Sequence, residues 1–378
     1  MSELINADAS INFRLQLFGT ASALAFLVAV SASASAEETD RPTVWIELGG
    51  ELMRFDGGQQ QFAPASVSGT PRPPAETVSP LSVGHAPRYS FGGDGKVTLQ
   101  PNGSDWVLSA AIRFGRSNGH KHLHQQSYPT QPLVPPFTPY AGINFQYALP
   151  FSDVNRNESE SHAILDFQVG KDIGVGLFGR DATSVFSLGV RFAQFAARSN
   201  VAFKSQPDFD LTFKYIYGFK VPSKMHYHEN LATANAGRSF HGIGPSLAWN
   251  ASAPVLGSHD DGELALNWGI NGALLFGRQK AAVHHQSTHW YHSAKYHSYA
   301  RTNVVHSPPF GATRSHAVAV PNIGGFASLS MRYPNARVSF GYRADFFFGA
   351  MDAGIDARKS FNRGFYGPYA TLSVGIGG

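Results

Sequence analysis

Residues 101–116 read PNGSDWVLSAAIRFGR, and this stretch decides the fold. Pro101-Asn102-Gly103-Ser104 is a turn, and period-2 alternation follows at once. Trp106, Leu108, Ala110, Ile112 and Phe114 share one face, while Ser109, Ala111, Arg113 and Gly115 share the other. A half-buried strand has this pattern, because successive side chains leave opposite faces. The same alternation recurs outward in both directions. Leu165, Phe167 and Val169 oppose Asp166, Gln168 and Gly170, and Phe186, Leu188, Val190 and Phe192 oppose Ser187, Gly189 and Arg191. Leu264, Leu266, Trp268 and Ile270 oppose Ala265, Asn267 and Gly269, and Val338, Phe340, Tyr342 and Phe346 oppose Ser339, Gly341, Arg343 and Asp345. The pattern predicts strands near 43–55, 86–100, 105–117, 161–173, 184–202, 238–252, 263–282, 318–333, 336–349 and 365–377.

A soluble sandwich also alternates, so the connections discriminate. Those at 101–104, about 174–183, 253–262 and 334–335 are short, whereas those at 57–85, 118–160, 203–237 and 283–317 are long. Regular swapping of short turns and long loops is the mark of an antiparallel outer-membrane barrel, with short periplasmic turns and long extracellular loops. The expected fold is all-β: an antiparallel up-and-down transmembrane β-barrel of about ten strands, with eight to twelve allowed. Segments 140–148 and 211–219 are either further strands or β-rich loop extensions. Trp106, Trp249 and Tyr333 fall where an aromatic girdle would line the periplasmic rim.

Composition agrees. Cysteine is absent, charged residues make up only 15%, and glycine (39), phenylalanine (29) and tyrosine (14) are abundant. Neither disulfides nor thiolate chemistry is available, and a net charge of +4 gives no reason to expect nucleic acid. Arg14, an apolar run over 17–30 and Ala34-Ser35-Ala36 read as a secretory signal cleaved after residue 36, leaving 37–378 as one barrel domain in the bacterial outer membrane. The implied partners are outer-membrane lipid and lipopolysaccharide, the barrel-assembly machinery, and a host or matrix ligand at the external loops.

On the register above, Glu47, Glu51, Asp94, Lys96, Arg113, Asp166, Arg191, Arg332, Arg343 and Asp345 point into the lumen. Five acids and five bases on one face form an interior that pairs its own charges. A barrel of this size is largely filled by side chains, so a broad aqueous channel is not expected. Histidine is the unusual chemistry. His120, His122 and His124, then His226 and His228, then His284, His285, His289 and His292 fall in the long connections. Imidazoles two residues apart suit zinc, copper or nickel, whereas the plain alternative is a polar, aromatic-rich surface. No nucleophile elbow, HExxH or phosphate loop is present, and no cofactor is called for. Gly92-Gly93-Asp94-Gly95-Lys96 lies inside a strand pattern and reads as a bend or bulge. Asp208, Asp210, His226 and His228 offer the groups a rim-sited protease would use, without a spacing that compels one.

Residues 161–282 carry a resemblance. LDFQVGKDI, SLGVRFAQF, FHGIGPSLAWN and NWGINGALLFGRQK, in that order, resemble the Legionella major outer-membrane protein family, and GYR at 341–343 fits as well. The resemblance implies an outer-membrane barrel with porin-like or adhesive roles and carries no catalytic residue across. Two departures stand out: the chain ends Gly377-Gly378 where many such barrels present an aromatic residue, and the His/Tyr-rich 284–316 matches no family feature. The sequence reading is therefore a porin-like barrel passing small solutes or ions, not an enzyme, with a structural or adhesive surface barrel as the alternative.

Overall fold

A strand in lipid must find a partner for every backbone N–H and C=O, and only a closed sheet does this without a free edge. The computed structural model describes residues 43–56, 89–101, 104–126, 151–173, 183–206, 210–258, 262–295, 301–306, 310–354 and 357–377. They form twelve antiparallel strands: β1 (Val44–Asp56), β2 (Tyr89–Leu99), β3 (Trp106–Gln126), β4 (Phe151–Asp172), β5 (Thr183–Gln206), β6 (Asp210–Ile216), β7 (Phe219–Ser258), β8 (Gly262–Lys295), β9 (Arg301–His306), β10 (Phe310–Tyr333), β11 (Ala336–Asp352) and β12 (Ser360–Ile376). All but β6 and β9 close into a ring, sealed by β1 against β12 and by β7 against β8. The fold is a ten-stranded transmembrane β-barrel. Residues 211–219 belong to the β6–β7 hairpin outside the ring, and 140–148 lie outside the described residues.

The register sets the barrel's width. The row of partners Val44, Leu99, Leu108, Val169, Leu188, Leu247, Gly272, Ile323, Phe346, Gly364 circles the ring and re-enters β1 at Asp56. That is twelve residues past its start, 56 against 44. With ten strands, this stagger means a tilt of roughly 40° and a backbone radius of about 10 Å. Side chains reaching inward from all sides fill such a bore.

The outer face is apolar near the short turns. Leu48, Leu108, Phe167, Leu188, Leu247, Ile270, Leu329 and Phe340 are all exposed there. Trp106 and Tyr333 stand exposed at the short-turn end, and Trp249 donates its indole N–H to Ser184 Oγ at 2.8 Å beside it. The band stops abruptly: outward Phe276 gives way to Arg278 on β8, and outward Phe114 to Arg116 on β3.

Beyond the band, the structure departs from the sequence reading. The expected loops 203–237 and 283–317 are largely strand, and 118–160 is strand at both ends, its middle (127–150) lying outside the described residues: β3 runs to Gln126, β4 starts at Phe151, and β7 and β8 reach 40 and 34 residues. A tilted strand needs about 10 residues to cross a bilayer, so β7 and β8 rise far above it. The alternation of apolar side chains ends where both faces meet water, but the ladder continues because each backbone still has a neighbour. Four strands, β6-β7-β8-β9, form the tip. Among the described residues the rise is one-sided, since β1 and β2 have only 13 and 11 residues and β11 and β12 have 17 each.

GGDGK is likewise no bulge. Glu47 through Glu51 pair with Lys96 through Gly92 in unbroken register. Its first glycine serves close approach: a Cβ on Gly92 would stand 2.7 Å from the Phe114 carbonyl oxygen and 2.9 Å from Met53 Cε.

Candidate functional site

Two regions carry the polar chemistry: the lumen and the raised wall. All ten charged residues assigned to the lumen from the sequence lie on the inner face, in two layers. Nearest the short turns, Arg337 donates to Glu47 at 2.9 Å, and Lys96 faces Glu47 across the β1–β2 ladder. Arg332 pairs with Glu263 at 3.3 Å and donates to Asn267 at 2.6 Å. In the second layer Arg343 meets Glu51 at 2.5 Å and Asp94 at 3.5 Å. Arg191 donates Nε and Nη2 to the two oxygens of Asp166, at 2.6 and 3.0 Å. Its Nη1 reaches Asn271 at 2.7 Å and also bonds Asn322. Arg113 pairs with Asp345 and lies 3.8 Å from Asp166.

These contacts span the bore rather than follow the wall. Arg113 on β3 and Asp345 on β11 are separated by β2, β1 and β12, and Arg191 on β5 reaches Asn322 on β10. Arg191 is 2% exposed and Asp345 1%. Charges so deeply buried are tolerable only when paired and hydrogen-bonded, and here they are. Room for the carboxylates comes from missing side chains opposite them: a Cβ on Gly324 would sit 2.1 Å from Asp345 Oδ1, and one on Gly49 2.0 Å from Asp94 Oδ1.

Above the charged layers the lumen turns apolar. Met53, Ile164, Phe195, Phe240, Leu275, Val320, Phe347, Met351 and Phe365 form one buried cluster. Phe195 of β5 meets Phe347 of β11 at 4.7 Å between ring centroids and Phe365 of β12 at 5.2 Å, again across the bore. Between the charged and apolar layers, a cavity with room for about one water is lined by Glu51, Arg113, His162, Arg343, Asp345 and Phe365, among others.

A third polar layer lies above the apolar ring. Arg363 pairs with Glu160, and Arg314 meets Asp352 at 3.0 Å. Arg314 also donates to the Gly354 carbonyl at 2.8 Å, and Arg238 to that of Ala353 at 3.2 Å. These bonds fasten the β11–β12 connection to the tall side of the wall. Burial raises the Asp352 carboxyl, but the backbone N–H groups of Lys359 and Gly354 and the Arg314 guanidinium outweigh it and hold the group below the usual carboxylate range. The sequence reading missed this layer and the apolar ring, because it stopped following the inner face where the outer one ceased to be apolar.

The histidines sit on strand extensions rather than in loops. His120, His122 and His124 point outward from β3 towards β4: His120 Nδ1 is 2.6 Å from Asn157 Oδ1, His122 pairs with Asp153, and His124 is 3.9 Å from it. On β7 and β8 the histidines divide between two faces. His289 Nδ1 is 2.6 Å from Asn230 Oδ1, and the His228 and Tyr291 rings are 4.9 Å apart; His226 shares this side, its ring 6.2 Å from that of Tyr291. On the other face His292 stacks on Tyr227 at 4.4 Å and lies 3.7 Å from Glu229. Tyr227's phenol is pushed up by burial and by Glu229. His284 and His285 face Asn235 and Ala234 across the ladder. Among the described residues no group of three His, Cys, Asp or Glu side chains is arranged to hold a metal ion. Asp208 lies outside the described residues, and Asp210 is opposite His226 in the β6–β7 ladder.

No known family model and no curated protein matches the chain. Among solved structures it is similar to the outer-membrane protease OmpT of Escherichia coli, at 8% identity and a TM-score of 0.30, over 91% of this chain and 100% of that one. It is also similar to the Pseudomonas putida toluene transporter TodX, at 8% identity and a TM-score of 0.23, over 89% and 91% of the two chains. Likeness at this level says nothing of function, so the chain's own geometry has to carry it.

Proposed function

We propose that the protein is an outer-membrane barrel that acts through its raised external wall, as a structural or adhesive surface protein, with its bore closed. One observation carries this reading: Arg113–Asp345, Arg191–Asn322 and Phe195–Phe347 cross the lumen in successive layers. The exposed apolar band supports placement in the outer membrane, since water would not tolerate it at that extent. The one-sided rise of β3 to β10 offers a protein, matrix or neighbouring-cell ligand a broad polar and aromatic surface. Porin-like passage, which the family resemblance implies, would require a path through both the paired charges and the aromatic ring.

Planar-bilayer recording separates the two. The purified barrel is expected to give no conductance steps above the lipid background, and steady ohmic steps would restore the porin reading. Removing the tip by replacing 210–226 and 288–306 with short turns is expected to leave heat-modifiable folding intact while abolishing adhesion of expressing cells to a protein-coated surface.

A further inference from the structure

The inner-face arginines all meet acceptors, but one group of basic residues on the outer face does not. Arg198 on β5, His241 on β7, and Arg278 and Lys280 on β8 are exposed, and none has a side-chain hydrogen bond or ion pair among the described residues. The register gathers them. Arg278 faces His241 across the ladder and Lys280 faces Ser239 one outward step above, while Arg198 faces Gly237, four residues along β7 above His241, so the four lie on three adjacent strands with Arg198 the highest. The outward acids of this wall are elsewhere: Asp153 stands level with Lys204, and Glu229 is 3.3 Å from Lys204. The cluster therefore has no counter-charge of its own.

Its height is informative. Phe276 (56% exposed) is the next outward residue below Arg278, and Ile243 (54% exposed) the next below His241. Cations bordering the top of an apolar band sit where acyl chains end and headgroups begin. Resting on the reading above, which puts this band in lipid and the wall outside the cell, we propose that Arg198, His241, Arg278 and Lys280 bind the phosphate groups of a phosphorylated outer-leaflet glycolipid, of lipopolysaccharide type, whose acyl chains lie against Phe276 and Ile243. The arginines and the lysine supply charge, and His241 donates a further hydrogen bond.

The test uses the purified full barrel in phosphatidylcholine nanodiscs, with bisphosphorylated lipid A as probe and native mass spectrometry as readout. A cation near an anionic lipid surface strengthens binding about fivefold, so R198A/R278A/K280A is expected to weaken retention on the order of 100-fold. R278K is expected to bind nearly as wild type. K204A, which removes an outward cation that has a partner, is expected to have no effect. All four side chains are exposed, so heat-modifiable folding should be unchanged. Equal retention of the dephosphorylated lipid would overturn the proposal. So would undiminished binding by the triple variant, or displacement by millimolar inorganic phosphate, which would mark a free-anion site. Bilayer entry is scored separately by protease protection: a barrel that enters no membrane defeats the outer-membrane reading and this one together, whereas entry without lipid A selectivity defeats only this one.

Discussion

The same strands run through two solvents in this protein. In the lower half of β7, Leu247 and Ile243 face outward and are exposed, while Ser246 and Gly244 face the bore. In its upper half, Thr233 and Asn235 face outward and Ala232, Ala234 and Ala236 inward, the last three buried. The polarity of the wall is thus inverted along a single strand. Below, lipid demands an apolar exterior and the interior must satisfy its own charges. Above, water takes the exterior, and beyond the third polar layer the inner face of β7 becomes the apolar side. Backbone pairing is indifferent to this reversal, which is why the ladder passes through without a break.

Substitutions can break that contrast. The largest loss is expected inside the lower half. Arg191→Ala removes the bidentate partner of Asp166 in a buried network and leaves that carboxylate only Arg113, 3.8 Å away, costing about 3–5 kcal/mol in urea unfolding from phospholipid vesicles. A loss under about 1 kcal/mol would mean the layer is hydrated. Next comes the same change on the two exteriors. Leu247→Arg places a cation in the apolar band and is expected to cost about 2–4 kcal/mol. Thr233→Arg, farther up the same face, should stay within about 0.5 kcal/mol. If the two cost the same, the band does not end where the outward residues turn basic.

A third change sharpens the upper layer. Asp352 is held below its ordinary value of 3.8 in the folded state. A depressed carboxyl contributes stability above its unfolded pKa and loses it as pH falls through the folded one, so the contribution should fade as pH drops below about 4. Asp352→Asn is expected to flatten that acid limb and to leave the β11–β12 connection more readily cut by protease. An acid limb unchanged in the variant would assign it to other carboxylates. A small effect is also expected at the exposed His122–Asp153 pair, where Asp153→Ala should cost under about 1 kcal/mol. A larger value would show that the outward histidine row on β3 is braced by something beyond this contact.

The sequence was most legible where lipid imposed a pattern. Trp106 to Phe114 and Val338 to Phe346 alternate because one face meets acyl chains and the other the bore, so their direction could be read without coordinates. The inner charges were legible for the same reason: Arg113 and Asp345 take the opposite parity to their apolar neighbours. The raised wall was not. His120, His122, Asn235 and Thr233 are polar on a strand face exactly as they would be in a loop, and no local signal says which. Ile164, Phe195 and Phe347 were equally silent, because isolated apolar residues on a mostly polar face take their meaning only from strands that meet across the bore.

Alternation and turn spacing by themselves determined an antiparallel barrel and which charges face its interior, since the two-residue period and the lipid's demand act on neighbours in the chain. Only the tertiary structure decided that the bore is crossed and closed, that much of the supposed loops is a wall, and that three outward cations and a histidine gather above the apolar band without counter-charges. Each depends on a twelve-residue stagger around the ring that brings residues far apart in sequence to one height, and no local pattern encodes that stagger.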